Sequence, residues 1–178
     1  AIGAILIYIW FRFEWQFGLA AVVALLHDVL STVGLFSLLW LDFNLSTVAA
    51  ILTIAGYSIN DTVVIYDRVR EELRRYKKLD MPALLNLAAN RTLSRTFMTS
   101  VTTLIALIAL AVFGGTIIRD FALAMIWGVI IGTYSSVFVA VPVLLALNLS
   151  RQSLSAGLDE SEQVEAPEDD VPDTPSDK

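Results

Sequence analysis

Three places along the chain carry residues able to do chemistry in an otherwise apolar setting. The first is "SINDT" at residues 58–62, where Asn60 and Asp61 stand side by side in a stretch long enough to cross a bilayer. The second is Arg95, in "TLSRT" at residues 92–96, at the start of another such stretch. The third is the pair His27–Asp28, near the middle of a third. An ionised Asp61 inside a membrane costs at least about 2.5–3.5 kcal/mol on insertion scales. Burial favours its protonated form, and a neighbouring arginine favours the carboxylate. A carboxyl balanced between the two is a proton-binding switch. The competing reading is a fixed ion pair, or a carboxyl hydrogen-bonded to Tyr57 and Asn60. For His27–Asp28, an imidazole that titrates near neutrality allows a proton relay. A hydrogen-bonded pair that locks helix packing suits the same residues.

Helical spacing places Thr53, Tyr57, Asn60, Asp61, Val64 and Arg68 on one stripe, and Thr92, Arg95, Thr99, Thr102 and Ala106 on another. Lipid would penalise both stripes, so they are expected to face each other or water. If the first helix leaves the bilayer near Asp67, Asp61 lies roughly 9 Å inside. Gly128 and Gly132 form a GxxxG pattern followed by Thr133, Ser135 and Ser136, which reads as close helix packing.

Other chemistries find no support. An intramembrane aspartyl protease needs two carboxylates close together, and Asp67 stands a turn and a half beyond Asp61, at the water boundary. There is no cysteine and a single histidine, so no thiolate or histidine-rich metal site is available. No glycine-rich phosphate loop appears. The chain is expected to be no enzyme and to use no cofactor, metal or nucleic acid.

The elements that must hold these residues are membrane helices. The chain of 178 residues is 56% apolar and 17% charged, too apolar for an ordinary soluble domain. A bilayer core of about 30 Å calls for about 20 apolar residues per helix. Residues 1–11, "AIGAILIYIWF", are apolar but short, with no Met, polar lead or cap, and read as the second half of a helix. Further spans are expected at about 17–40, 46–67, 95–113 and 121–149, the last tilted or kinked at Pro142. The fold class expected is therefore an all-α integral membrane bundle of about five transmembrane helices, the first one truncated. Trp10, Trp15 and Trp40 read as interfacial belt residues.

Charge orients the bundle. Eleven of the twelve basic residues fall on one side, and the opposite loops hold only Arg119. The positive-inside rule makes residues 12–16, 68–94 and 150–178 cytoplasmic. The segment 68–94 reads as a basic helical loop. Asp80 would cap a second short helix with Pro82 in its first turn. The apolar side of that helix (Leu84, Leu85, Leu87 and Ala88) would lie on the membrane surface. Residues 152–178 form an acidic tail that accounts for the net charge of −6 and buries too little apolar surface to order itself.

Several blocks carry a family resemblance: "FRFEW" (11–15), "ALLHDV" (24–29), "NLSTVAAILTIAGYSINDTVVIYDRVREE" (44–72) and "NRTLSRTFMTS" (90–100). In this order they resemble the SecF subunit of bacterial protein export, over about residues 1–151. The resemblance implies a resistance-nodulation-division type of bundle with six transmembrane helices, of which this chain would hold helices two to six. The first helix and a large periplasmic domain would be missing. It implies partnership with SecD and the SecYEG channel, other accessory Sec membrane proteins included, and use of the proton-motive force to help exported chains leave. Exported polypeptides would be gripped only through the missing periplasmic domain. It implies a multi-pass protein of the bacterial inner membrane with a cytoplasmic tail. It also implies that Asp61 is the proton-linked carboxylate and Arg95 its coupled arginine; Asn60, Tyr57 and Thr99, from the two polar stripes, complete the candidate proton-coupling set. His27 and Asp28 match the family's "HD" block. The alternatives are a scaffold subunit that transports nothing, or a related proton-driven exporter of lipids or small molecules.

Overall fold

The computed structural model describes residues 15–76 and 78–147, so the short apolar segment 1–11 and the acidic tail lie outside the described residues. The order is α1 (Trp15–Leu38), α2 (Leu45–Arg75), α3 (Met81–Phe113), α4 (Gly115–Phe138) and α5 (Ala140–Ala146). No strand occurs among the described residues. Among the described residues, four spans are long and apolar enough to cross a membrane: α1, α2, α3, and Ile118–Ala146, which runs from α4 into α5.

Local chemistry sets the ends. Asn44 caps α2: its side chain accepts from the Thr47 amide at 3.2 Å, and Thr47 Oγ1 accepts from the Asn44 amide at 3.4 Å. Two orphan donors are thereby satisfied reciprocally. At the end of α1, Leu41 N–H reaches Phe36 O (3.0 Å) and Trp40 N–H reaches Ser37 O (3.4 Å), the paired bonds of a Schellman motif. Trp40 holds the left-handed position of that motif, with φ 53°, where glycine is usual. Gly114 alone joins α3 to α4, and Gly115 then takes φ +74°, which a side chain would resist.

The link between α2 and α3 departs from expectation. α2 has 31 residues and α3 has 33, about 46 and 50 Å at 1.5 Å per residue, well beyond a bilayer core. The basic segment is formed by the end of α2 and the start of α3. The short second helix is fused to the fourth span, because nothing between Met81 and Phe113 breaks the periodicity. Asp80 takes the N-cap position, but its side chain makes no capping bond; Pro82 lies in the first turn. Leu84, Leu85 and Ala88 do not lie on the membrane surface. They are buried in the bundle with Tyr66, Val69 and Leu73, because the ends of α2 and α3 pack on each other.

The core has two apolar clusters with a polar layer between them. Near the basic end, Phe17, Ala24, Tyr66, Val69, Leu84 and Leu144 belong to one cluster. Toward the opposite end, Phe36, Ala50, Ile54, Leu107, Met125 and Val129 belong to the other. Between them α1 contributes Asp28, α2 contributes Ser58, Asp61 and Thr62, α3 contributes Thr96 and Ser100, and α4 contributes Ser135 and Ser136, all buried. α2 and α4 run parallel at a constant offset, with Ile54 against Gly128, Ser58 against Gly132 and Thr62 against Ser136. A Cβ on Gly128 would collide with the Ile54 side chain, and one on Gly132 would stand 3.3 Å from Ser58 Cβ.

Gly128→Leu is expected to destabilise the bundle by about 1–3 kcal/mol, the range for overpacking. A lowered melting temperature in detergent reads this out. Gly34→Ala, where an added Cβ meets nothing within 4 Å, should leave that temperature unchanged.

Candidate functional site

The polar layer contains two acids in opposite situations. Asp28, on α1, is fully buried, and both carboxylate oxygens are engaged. Ser58 Oγ of α2 donates to Oδ2 at 2.5 Å, and Ser135 Oγ of α4 donates to the same oxygen at 2.8 Å. His27 Nδ1 lies 3.0 Å from Oδ1. Thr32 Oγ1 donates to the Asp28 carbonyl at 2.8 Å. Three side chains thus converge on one carboxyl and tie α1 to α2 and α4. The serines reach it because Gly132 lets α4 approach α2. Trp127 Nε1 donates to Ser31 Oγ at 3.3 Å, a second tie between α4 and α1.

Asp61, on α2, is also buried, with 5% of its surface exposed. Among the described residues it forms no hydrogen bond and no ion pair, and its Oδ2 is buried without a partner. Arg95 exerts a Coulombic attraction on it from outside ion-pair distance. Tyr57 does not bond to Asp61; its hydroxyl donates to Ser100 Oγ at 3.3 Å, and Ser100 lies 2.6 Å from Thr133 Oγ1. Thr133 in turn donates to Val129 O at 2.7 Å. A hydroxyl chain thus crosses α2, α3 and α4 one turn from Asp61. α2 and α3 are antiparallel, so the Tyr57–Ser100 contact puts Asp61 level with Thr96. The Thr96 hydroxyl is likewise buried without a partner.

The other singled-out residues fall on the rim. Asn60 and Thr53 are exposed. Arg95 and Thr99 are exposed, and Thr99 Oγ1 donates to Thr96 O at 2.9 Å. The stripe on α3 is therefore rotated from the one read in the sequence: Thr92, Thr96 and Ser100 turn inward, while Arg95, Thr99 and Thr102 turn outward. Arg95 helps line a polar cavity of about 600 Å³ near the basic end, with Val64, Asp67, Arg68, Arg91 and Thr92. Deeper in the same region, fully buried Glu72 pairs with Arg68 Nε at 2.8 Å and with Arg91 Nη1 at 2.5 Å. Arg91 also donates to Tyr76 OH at 3.2 Å.

Sequence reasoning did not single out Ser58, Thr62, Thr96 or Ser100, and took Ser135 and Ser136 only as companions of the glycines. The signal was present as hydroxyls at four-residue spacing, 58 and 62 on α2 and 92, 96 and 100 on α3. Among the described residues no group of three or more His, Cys, Asp or Glu could hold a metal ion.

The class these features define is a multi-spanning helical membrane protein with an acid-and-hydroxyl layer at mid-bundle. Over residues 1–150 the chain matches the family described as "Protein export membrane protein SecD/SecF, C-terminal", and it belongs to that family. It is 60% identical over 147 residues to the protein translocase subunit SecF of Rhodobacter capsulatus, covering 83% of this chain and 44% of that one. It is 56% identical over 151 residues to SecF of Cereibacter sphaeroides, covering 85% and 47%. The chain thus spans less than half the length of these relatives. Its fold resembles a crystal structure of SecDF in a super-membrane-facing form, with a TM-score of 0.79 and 46% identity over 88% of this chain and 21% of that one. SecDF from Thermus thermophilus, a translocon-associated membrane protein, gives the same TM-score at 48% identity over 83% and 21%.

Removing the Arg91 guanidinium leaves buried Glu72 with Arg68 as its remaining partner. Arg91→Ala is expected to lower the melting temperature in detergent. Adding Glu72→Gln should restore part of that loss, because a neutral amide needs less compensation than a charge.

Proposed function

We propose that this chain is the membrane-embedded part of a SecF-type subunit that, with a SecD-type partner, assists SecYEG-dependent protein export by using the proton-motive force. The observation that carries the mechanism is the state of Asp61: a carboxyl buried in a membrane span, without a hydrogen bond of its own among the described residues, attracted by an exposed arginine at the rim of a polar cavity. An intramembrane acid in that position is a functional group by default, because its charge is costly unless used.

The working of the switch follows from elementary electrostatics. As a carboxylate, Asp61 attracts Arg95 and favours the arrangement in which α2 and α3 bring them together. Protonation removes that attraction and frees Arg95 toward the cavity. Each unit charge crossing 100 mV is worth about 2.3 kcal/mol, comparable with the few kcal/mol that separate two packings of a bundle. In the whole subunit, the shift in packing would act on the parts of the protein outside the membrane. Charge distribution supports an orientation in the bacterial inner membrane with the basic ends of α2 and α3 in the cytoplasm.

Asp61→Asn, placed in a full-length SecF-type subunit paired with SecD, is expected to preserve folding and pairing while removing the proton-gradient-dependent part of export. A translocation assay in energised inverted vesicles measures it. Export at the wild-type rate under a gradient would end this reading and favour a scaffold. Orientation is tested separately on these 178 residues, which contain no cysteine. Lys78→Cys should react with an impermeant maleimide only from the cytoplasmic side, and Asp42→Cys only from the opposite side.

A further inference from the structure

The proton-coupling reading leaves the Asp28 cluster without a role, although it is the most fully hydrogen-bonded group in the polar layer. We propose that Asp28 is a positioning residue for Asp61: its carboxylate clamps α1 and α4 onto the turn of α2 that carries the proton-linked acid. The inference rests on the reading of Asp61 given under Proposed function.

Geometry carries it. Asp61 makes no hydrogen bond of its own among the described residues, so its place is set by its helix turn. That turn is held from Ser58, three residues earlier and on a neighbouring face of α2. Ser58 Oγ reaches Asp28 Oδ2 at 2.5 Å, and Ser135 Oγ reaches the same oxygen at 2.8 Å, so one atom of α1 joins both other helices. The following turn is latched again: Thr62 Oγ1 lies 3.1 Å from Ser136 Oγ and donates to Ser58 O at 3.1 Å. Asp61 stands between the two latched residues. α3, which carries Arg95, takes no part in the Asp28 cluster. The clamp therefore fixes one member of the Asp61–Arg95 pair and leaves the other on a separate helix.

A packing role alone accounts poorly for an acid here. Well-packed apolar residues in place of buried charges are often neutral or stabilising. A carboxylate does what they cannot: it accepts from two helices at one point and fixes their rotation as well as their distance. The titratable group in contact with it is His27 on α1, whose ring lies 6.5 Å from that of Tyr134 on α4, and Asp61 follows Ser58 by three residues on α2. His27 is partly exposed while Asp28 is sealed, so the imidazole closes the cluster on its outer side.

The test uses the full-length SecF-type subunit with SecD in proteoliposomes under an imposed proton gradient, reading proton flux against pH. Asp28→Asn, Ser58→Ala and Ser135→Ala should each lower proton-dependent flux by about threefold to tenfold, the range of a lost hydrogen bond. Each should also move the pH midpoint of flux, a readout that loss of folded protein alone would not change. Asp28→Asn combined with Ser58→Ala should cost less than the sum of the two, since both break one interaction. Gly34→Ala serves as the control, with midpoint and flux unchanged. The serine variants keep the test decisive if Asp28→Asn fails to fold. If Asp61→Asn abolishes flux while all three clamp variants keep the wild-type midpoint, the clamp alone is overturned. If Asp61→Asn leaves flux intact, the proton-coupling reading falls and takes the clamp with it.

Discussion

One buried carboxylate organises the middle of this bundle. Asp28 is fully buried, where α2 and α4 each deliver a hydroxyl to it and His27 covers its other oxygen. Those bonds require the helices to stand close and in register. Closeness comes from Gly128 and Gly132, and register comes from side chains that meet at four-residue intervals. In a membrane the apolar clusters at either end do little to choose among arrangements, because lipid is as apolar as they are. Specificity therefore resides in the polar layer, where an error of rotation would leave a charge unpaired.

The two acids of that layer divide its work. Asp28 has donors from three helices and gains nothing by moving. Asp61, on the next turn, has none among the described residues, and its attraction to Arg95 acts across a gap. A satisfied group stabilises a single arrangement, while an unsatisfied one favours whichever arrangement or protonation state relieves it. The contrast lies within a few residues of α2, so a rigid and a responsive part share one helix.

Much of the architecture was legible because apolar length and charge asymmetry are strong signals. The spans, the polar positions 60, 61 and 95, and the packing glycines all stand out against a background of Leu, Ile, Val and Ala. Within the basic segment, charge density hid how far α2 and α3 run on as single helices. Leu84, Leu85 and Ala88 looked amphipathic for the same reason, and their partners on α2, Val69 and Leu73, are hidden among arginines. On α3, hydroxyls occupy so many positions that spacing alone supports two stripes. Only the neighbouring helices decide that Thr92, Thr96 and Ser100 face inward. Ser58 carried no signal of its own, because a single hydroxyl in a membrane helix is commonly satisfied by its own backbone.

The matched steps along α2 and α4 limit how this pair can move. Ile54, Ser58 and Thr62 sit in successive notches opposite positions 128, 132 and 136. Sliding one helix along the other would carry a side chain over the ridge between notches, and the next fit comes only after four residues, about 6 Å. Small translations are thus blocked. The pair is a rail of fixed register, and α3 is keyed to it through the hydroxyls of Tyr57, Ser100 and Thr133 and through the Glu72–Arg91 ion pair.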